Sequence, residues 1–372
     1  RDCLLSRGLG DVYKRQAYTC QGNIGDLLIT KYQIEEYAKY AEVFVDCHGM
    51  PQYFSKVIFD TNNPNVKDFE KIYGLYYRGK NIFKVLRVLN NGGFGFFCSS
   101  PGPRVPLNLP VRSLVLKMLG ALIPYVVLNK RIKRYSLGVD LQFERTGFFY
   151  WINRWYFGLF DIIGLRSKEN LSTYRGVLNN ICYIPDMAFL FPYFDEKKYR
   201  CNHDKIALSF RNVTEYNVLI DKLKNILRYF NDKEIHVDLI YQVEEDKSFC
   251  ERLMCDLAEN NLSFKEKMVA YSDLEVYENY DMVISNRLHV LLIGAMNGAI
   301  PYGLISHDKK EKKIADVFSS VFSCKLFSYV ENSSSAVIAT LFCERDSVRS
   351  QIYKNVCVQR NYCERLIERL FN

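Results

Sequence analysis

Short apolar runs alternate with stretches of helical periodicity along nearly all of the 372 residues, and no other feature restricts the fold as much. In the first half the runs fall at 42–46, 56–59, 82–89, 124–128, 161–165 and 182–184. Strands separated by helices long enough to cross over a sheet predict parallel pairing with helices on its faces. A second block repeats the logic, with strands expected at 205–210, 236–241, 264–268, 281–285 and 301–305. Helices are expected between them at 214–230, at 246–259 and from about 286 to 297. A chain of this length exceeds one hydrophobic core, so two α/β domains are expected. The segment 185–201, with Pro192 and the charged run 195–198, reads as the linker. Near the end, Val348, Ile352, Val356, Cys363, Leu366 and Leu370 recur at helical spacing, with Asp346 or Ser347 as the N-cap of a closing helix. The expected organisation is therefore 17–199, 200–345 and a helix over 346–372.

Residues 1–16 (RDCLLSRGLGDVYKRQ) hold no apolar run of the kind a secretory signal needs. They read as a non-native scar standing where an apolar strand should precede the first glycine motif, and are left out of the expected fold. Hydrophobic residues make up 48% and charged ones 25%, a balance that supports a packed core and excludes long disordered tracts. The net charge of +8 suits small anionic substrates or a loose contact with a membrane surface. Without a dense Arg/Lys stripe, nucleic acid is excluded as a partner. Twelve cysteines are scattered without CxxC pairs and read as reduced thiols. Cys250 and Cys255 have no accompanying His or second pair, so no metal site is expected. The longest apolar run, 118–128, is interrupted by Pro124 and falls short of the roughly 20 residues that span a bilayer. A cytoplasmic protein is expected, with the inner face of the membrane as its one place of peripheral contact.

Three constellations carry chemistry. Gly22-Asn23-Ile24-Gly25-Asp26 precedes an apolar helical pattern, so its glycines permit a tight turn at a positive helix terminus and Asp26 falls at the cap. Asn90-Asn91-Gly92-Gly93-Phe94-Gly95 follows the run 82–89 and, if that run is a strand, lies where a parallel sheet binds ligands. In the third, the strand 281–285 leads through Asn286-Arg287-Leu288-His289 into an apolar helix, then Gly298 and Pro301. Were the backbone still extended there, Arg287 and His289 would face one crevice and Leu288 the core. A guanidinium fork suits carboxylate or phosphate, and an imidazole serves as acid, base or phosphate donor. A capping arginine with a core histidine is the plainer alternative.

These residues resemble the polysaccharide pyruvyl transferase family. Ser285-x-Arg287-Leu288-His289, Gly298-x-x-Pro301 and His307-Asp308-Lys309-Lys310 are similar to its S-x-R-x-H, G-x-P and Tyr-Asp-x-Lys signatures. The 22–26 motif resembles its G-N-x-G-D, Asn91-Gly92-Gly93 its glycine loop, Pro185-Asp186-Met187-Ala188-Phe189 its D-P-A-F segment, and Leu208-Ser209-Phe210-Arg211 its strand ending in arginine. The chain departs from the pattern in four places. Ser167 follows Arg166 where the family often has V-R-D, with Glu169 the nearest acid; Met187 replaces proline; His307 stands for tyrosine; one extra residue separates Gly298 from Pro301.

The resemblance implies two Rossmann-like halves facing across a cleft, as in GT-B glycosyltransferases, with the acceptor on the N-terminal side and the donor on the C-terminal side. It implies phosphoenolpyruvate as donor substrate, no other cofactor, and a glycan acceptor, free or lipid-linked. Arg287 and His289 are then the catalytic candidates, with Asp26 as base or sugar-binding carboxylate. Arg211, Lys310, Gly22, Asn23, Gly25, Gly92, Gly93 and Ser285 are the substrate-binding candidates. The aromatic segment 147–163 reads either as a membrane-surface contact or as buried structure of the first half. Two rivals remain: a GT-B glycosyltransferase using a nucleotide sugar, and a non-catalytic binding module on the same scaffold.

Overall fold

The computed structural model describes residues 10–15, 23–79, 81–99, 101–104, 123–124, 126–143, 146–192, 194–257, 259, 261–322 and 324–372. They group into two compact units. One holds residues 10–15, 29–190 and 362–372, the other 23–28 and 191–361.

The sheet of the first unit contains β1 (Asp11–Arg15), β2 (Val43–Asp46), β3 (Val66–Asp68), β4 (Phe94–Ser99), β5 (Gly102–Arg104), β6 (Lys133–Leu141), β7 (Ile162–Leu165) and β8 (Ile181–Tyr183). Their order is β3-β2-β1-β4-β6-β7-β8, with β5 beside β6, and every pairing is parallel. The direction of winding reverses between β1 and β4.

The first strand corrects the exclusion of residues 1–16. β1 is central, with Val12 opposite Val43 on one side and Phe96 on the other. Val12 and Tyr13 are fully buried, and the Tyr13 hydroxyl donates to Asp46 at 2.6 Å. Lys14 is also buried, its ammonium donating to Gln33 and to the Ser99 carbonyl. Those acceptors offset the cost of burying the charge, so a strand forms where the apolar pattern alone offers only two residues.

Two expected strands are helices. The run 82–89 lies inside the helix Asn81–Asn91, which turns Val85, Leu86 and Leu89 inward at helical spacing. The run 56–59 closes the helix Gln52–Phe59, with Phe54 and Ile58 buried four apart. Residues 124, 126 and 127 are helical too. The true strand is the next segment, FGFFCS, buried throughout, and so short an apolar run shows no period to tell strand from helix.

In the second unit, β9 (Lys205–Ser209), β10 (His236–Leu239), β11 (Leu262–Phe264), β12 (Met282–Ser285), β13 (Ile300–Ile305) and β14 (Phe327–Tyr329) pair in parallel in the order β11-β10-β9-β12-β13-β14. Four of them match the expected strands; β11 shares only Phe264 with the expected 264–268, and β14 has no counterpart among the expected strands. Counted from β9 the order is 3-2-1-4-5-6, the doubly wound arrangement, with its switch point between β9 and β12.

The closing helix, Arg345–Phe371, serves both units. In the second, Arg349 is 1% exposed and donates to Asp281, whose carboxylate also accepts from the backbone N–H groups of His203 and Asp204. In the first, the Phe371 ring packs on Tyr37 and Phe96 at centroid distances of 4.7 and 4.5 Å.

The aromatic segment is buried in part and exposed in part. In the helix Phe148–Gly158, Phe157 is buried and stacks on Phe143, whereas Trp151 and Trp155, four apart, are 63% and 40% exposed with Arg154 over the Trp151 ring. Among the described residues no helix is long and apolar enough to cross a membrane, and the cysteines whose side chains are described, among them Cys98, Cys250 and Cys363, are free thiols.

Candidate active site at the β9/β12 switch point

β12 delivers the central motif. The Ser285 hydroxyl donates to the Ser209 carbonyl on β9 and accepts from the Arg287 N–H at 2.9 Å, tying together the carboxyl ends of the two strands. Ser285 is fully buried, and its hydroxyl fixes the turn. Arg287 is extended (φ −114°, ψ 117°), and the helix Leu288–Met296 begins at the next residue. The premise of strand alternation through residue 289 is thereby corrected: His289 sits in the first helical turn. Leu288 does enter the core, at 2% exposed, while His289 keeps 9% and the Arg287 side chain 20%.

Neither arginine is a bare cation. The Arg287 guanidinium is ion-paired with Asp246, its Nη2 donating to Oδ1 while Nε lies close to Oδ2 without a hydrogen bond. Asp246 ends the turn Glu244–Asp246 beyond β10 and is 4% exposed. Burial pushes its carboxyl above the ordinary value, against the opposing pull of Arg287 and Arg211. Arg211, just past β9, places Nε and Nη2 3.4 Å from Glu311 Oε1. Glu311 is 2% exposed and also accepts from Asn286 Nδ2 at 2.9 Å, the Ser306 N–H at 2.6 Å and the Ser306 hydroxyl at 3.1 Å. Asn286 in turn accepts the Arg211 N–H at 2.9 Å. One carboxylate thus positions the loops that follow β9, β12 and β13.

The glycine motif reaches the same site. The Asn23 side chain accepts the Gly25 N–H at 3.1 Å, and its carbonyl accepts from Asp26 and Leu27. Asn23 is therefore the cap of the helix Ile24–Tyr37, and Asp26, expected at the cap, occupies the first turn. A Cβ at residue 25 would lie 2.2 Å from His289 Nδ1 and 2.6 Å from its Cβ and Cγ. Glycine is required there because the imidazole rests against its Cα. These contacts lie within the second unit, although sequence order suggested that the motif belonged to the first.

Other expected residues fall elsewhere. Gly92 and Gly93 lie between the helix Asn81–Asn91 and the amino end of β4, so the premise that they follow a strand at its carboxyl end is corrected. Gly22 and the Lys310 side chain lie outside the described residues. Gly298 has φ +93° and closes the helix Leu288–Met296; a Cβ there would meet the Lys198 carbonyl oxygen at 2.3 Å. In the first unit, Arg166 is 1% exposed between Asp140 and Asp186, donating to Asp140 at 2.7 Å and Asp186 at 2.9 Å. The departure at Ser167 has a simple account, because its hydroxyl caps the helix Lys168–Tyr174 by accepting the Asn170 N–H, a task aspartate also performs.

Asp246 and Glu311 went unnoticed in the sequence. Their signal was an acid beside a helix start directly after an apolar strand: Glu244-Glu245-Asp246 after β10, and Asp308-x-x-Glu311 after β13. Surface capping explains such acids equally well, and only the fold brings them to the arginines.

Among solved structures, the chain is similar to a glycosyltransferase of Rickettsia africae (TM-score 0.58, 11% identity, 98% of each chain covered). It is also similar to a UDP-GlcNAc 2-epimerase of Neisseria meningitidis bound to UDP-GlcNAc (0.57, 10%, 96% of this chain and 98% of that one). A third is the Anabaena protein HepE in complex with UDP and glucose (0.56, 12%, 97% and 98%). Identities this low establish the fold, two Rossmann-like units of GT-B type. No curated protein matches the chain. The family model for polysaccharide pyruvyl transferase matches residues 23–304, a span that runs from the Asn23 cap through β13 and takes in Arg211, Asp246, Arg287 and His289; the chain belongs to the polysaccharide pyruvyl transferase family.

Proposed function

We propose that the enzyme moves a pyruvyl group from phosphoenolpyruvate to a sugar hydroxyl of a polysaccharide or its lipid-linked precursor, with no cofactor beyond the donor itself. The carrying observation is the pair of arginines at the carboxyl ends of β9 and β12, each held in place by a buried carboxylate, beside a histidine packed on Gly25. Phosphoenolpyruvate bears a phosphate and a carboxylate on neighbouring atoms, and Arg211 and Arg287 offer one planar fork for each.

Ketal formation adds two sugar hydroxyls to the carbon that bore the phosphate. A proton goes to the donor's methylene carbon, each hydroxyl gives one up, and the C–O bond to phosphate breaks as phosphate leaves with the second proton. His289 is assigned the acid or phosphate-stabilising role, and Asp26 the base or sugar-holding role. Gly25 and Asn23 keep backbone close to the substrate. The test is phosphate release from phosphoenolpyruvate against a panel of glycans; no release with any of them, under conditions where the protein is folded, would end the reading.

Nucleotide-sugar transfer is the second reading, favoured by the likeness to structures that carry UDP or UDP-GlcNAc. Binding stabilises the native state, so a thermal shift with phosphoenolpyruvate but not with UDP-sugars separates the two. Exposed Trp151 and Trp155 around Arg154 support a peripheral contact with anionic membrane, where a lipid-linked acceptor would be met. Co-sedimentation with phosphatidylglycerol vesicles, lost on Trp151→Ala/Trp155→Ala, checks it; a protein that stays in the supernatant refutes it.

A further inference from the structure

Charge balance at the switch point sets a problem for any anionic donor. Arg211 and Arg287 are matched by Glu311 and Asp246, so with both acids ionised the four side chains sum to zero, and a multiply charged anion arriving there meets two carboxylates as well as two guanidinium groups. The two acids are not equivalent. Glu311 accepts from Asn286 and twice from Ser306 besides Arg211, and keeps those three bonds whatever Arg211 does. Asp246 accepts side-chain hydrogen bonds from Arg287 alone among the described residues, and it is 4% exposed.

When a donor phosphate or carboxylate takes the Arg287 fork, Asp246 loses its counter-charge while it is itself buried. A buried carboxylate in that position neutralises itself by taking a proton instead of remaining an unpaired ion. Resting on the donor reading above, we infer that donor binding is proton-coupled: Asp246 passes from carboxylate to carboxylic acid as phosphoenolpyruvate engages Arg287. The proton comes from solvent and adds to one Asp246 oxygen, with no bond in the donor made or broken. The other titratable or charged groups acting on Asp246 are Arg211, Glu245 and Cys250. Arg211 is committed to Glu311, Glu245 carries no opposite charge, and burial drives the Cys250 thiol up to about 12, so it has no proton to accept near neutrality. Burial also raises Asp246 itself before any donor arrives, in the direction the inference needs.

Calorimetry of phosphoenolpyruvate binding to the full chain, in buffers of different ionisation enthalpy at mildly alkaline pH, reads the protons taken up. About one per site is expected for the parent, with affinity weakening up to roughly tenfold per pH unit as the pH rises. Asp246→Asn, a mimic of the neutral acid, should bind without uptake and with a flat pH dependence, whereas Asp238→Asn, which alters a buried carboxylate outside the site, should keep both effects. Uptake that persists in Asp246→Asn, or vanishes in Asp238→Asn as well, overturns the inference. Should Asp246→Asn fail to fold, infrared difference spectra of the parent decide: a protonated-carboxyl band must appear on donor addition, and its absence is equally fatal. Parent protein that binds no phosphoenolpyruvate refutes the donor reading itself, a different outcome from binding without uptake.

Discussion

At the scale of single residues, the site depends on contacts too close to tolerate an added methyl group. Gly25→Ala would drive a Cβ into the His289 ring, which must then tilt away. Displacements of about 1 Å at reacting groups cost on the order of 10²-fold in rate, so a loss of that size is expected with the fold intact. Turnover beside a circular-dichroism melt measures both, and a variant as fast as the parent would show that the ring has room. Arg287→Ala removes one fork and also leaves Asp246 buried without its partner. Transfer should fall by order 10²-fold or more, checked by phosphate release at saturating donor. Arg211, Arg287 and His289 were legible in the sequence because their spacing after apolar strands resembles a known pattern. Asp246 and Glu311 were not, since an acid that orients an arginine and an acid that caps a helix look alike until folding sets the distance.

At the scale of elements, the second unit was read almost strand for strand, and the first was not. Its strands β2 and β4 are short and buried throughout, so the run 82–89, which resembles them in sequence, reads as a strand although Val85, Leu86 and Leu89 lie on one helical face. That single misreading moved Gly92 and Gly93 to the wrong edge of the sheet. The helix Leu288–Met296 shows the reverse case, a correct element closed by a glycine with a definite backbone duty. At Gly298 the φ of +93° and the Lys198 carbonyl beneath it both exclude a side chain. Gly298→Ala is expected to destabilise the protein by about 1–3 kcal/mol, read as a lowered denaturation midpoint. The extra residue before Pro301 lies beyond this closure, in the step up to β13.

For the molecule as a whole, a buried carboxylate far along β10 sets part of the acid limit of stability. Burial of Asp238 raises its pKa, but bonds from Lys205, Ser263, Tyr280 and Lys265 outweigh that and hold the carboxyl at about 2. A group depressed on folding contributes its full share above the unfolded value of roughly 4 and loses it as the pH falls toward 2. Urea midpoints measured across that window should drop steeply for the parent and less so for Asp238→Asn. The way the chain is shared out has a consequence for recombination between family members. Residues 23–28 fold with the later half and 362–372 with the earlier one, so splicing two homologues at residue 190 would mismatch both ends at once. A working chimera has to carry the opening turn along with the second unit and return the final ten or so residues to the first, making four crossovers instead of one.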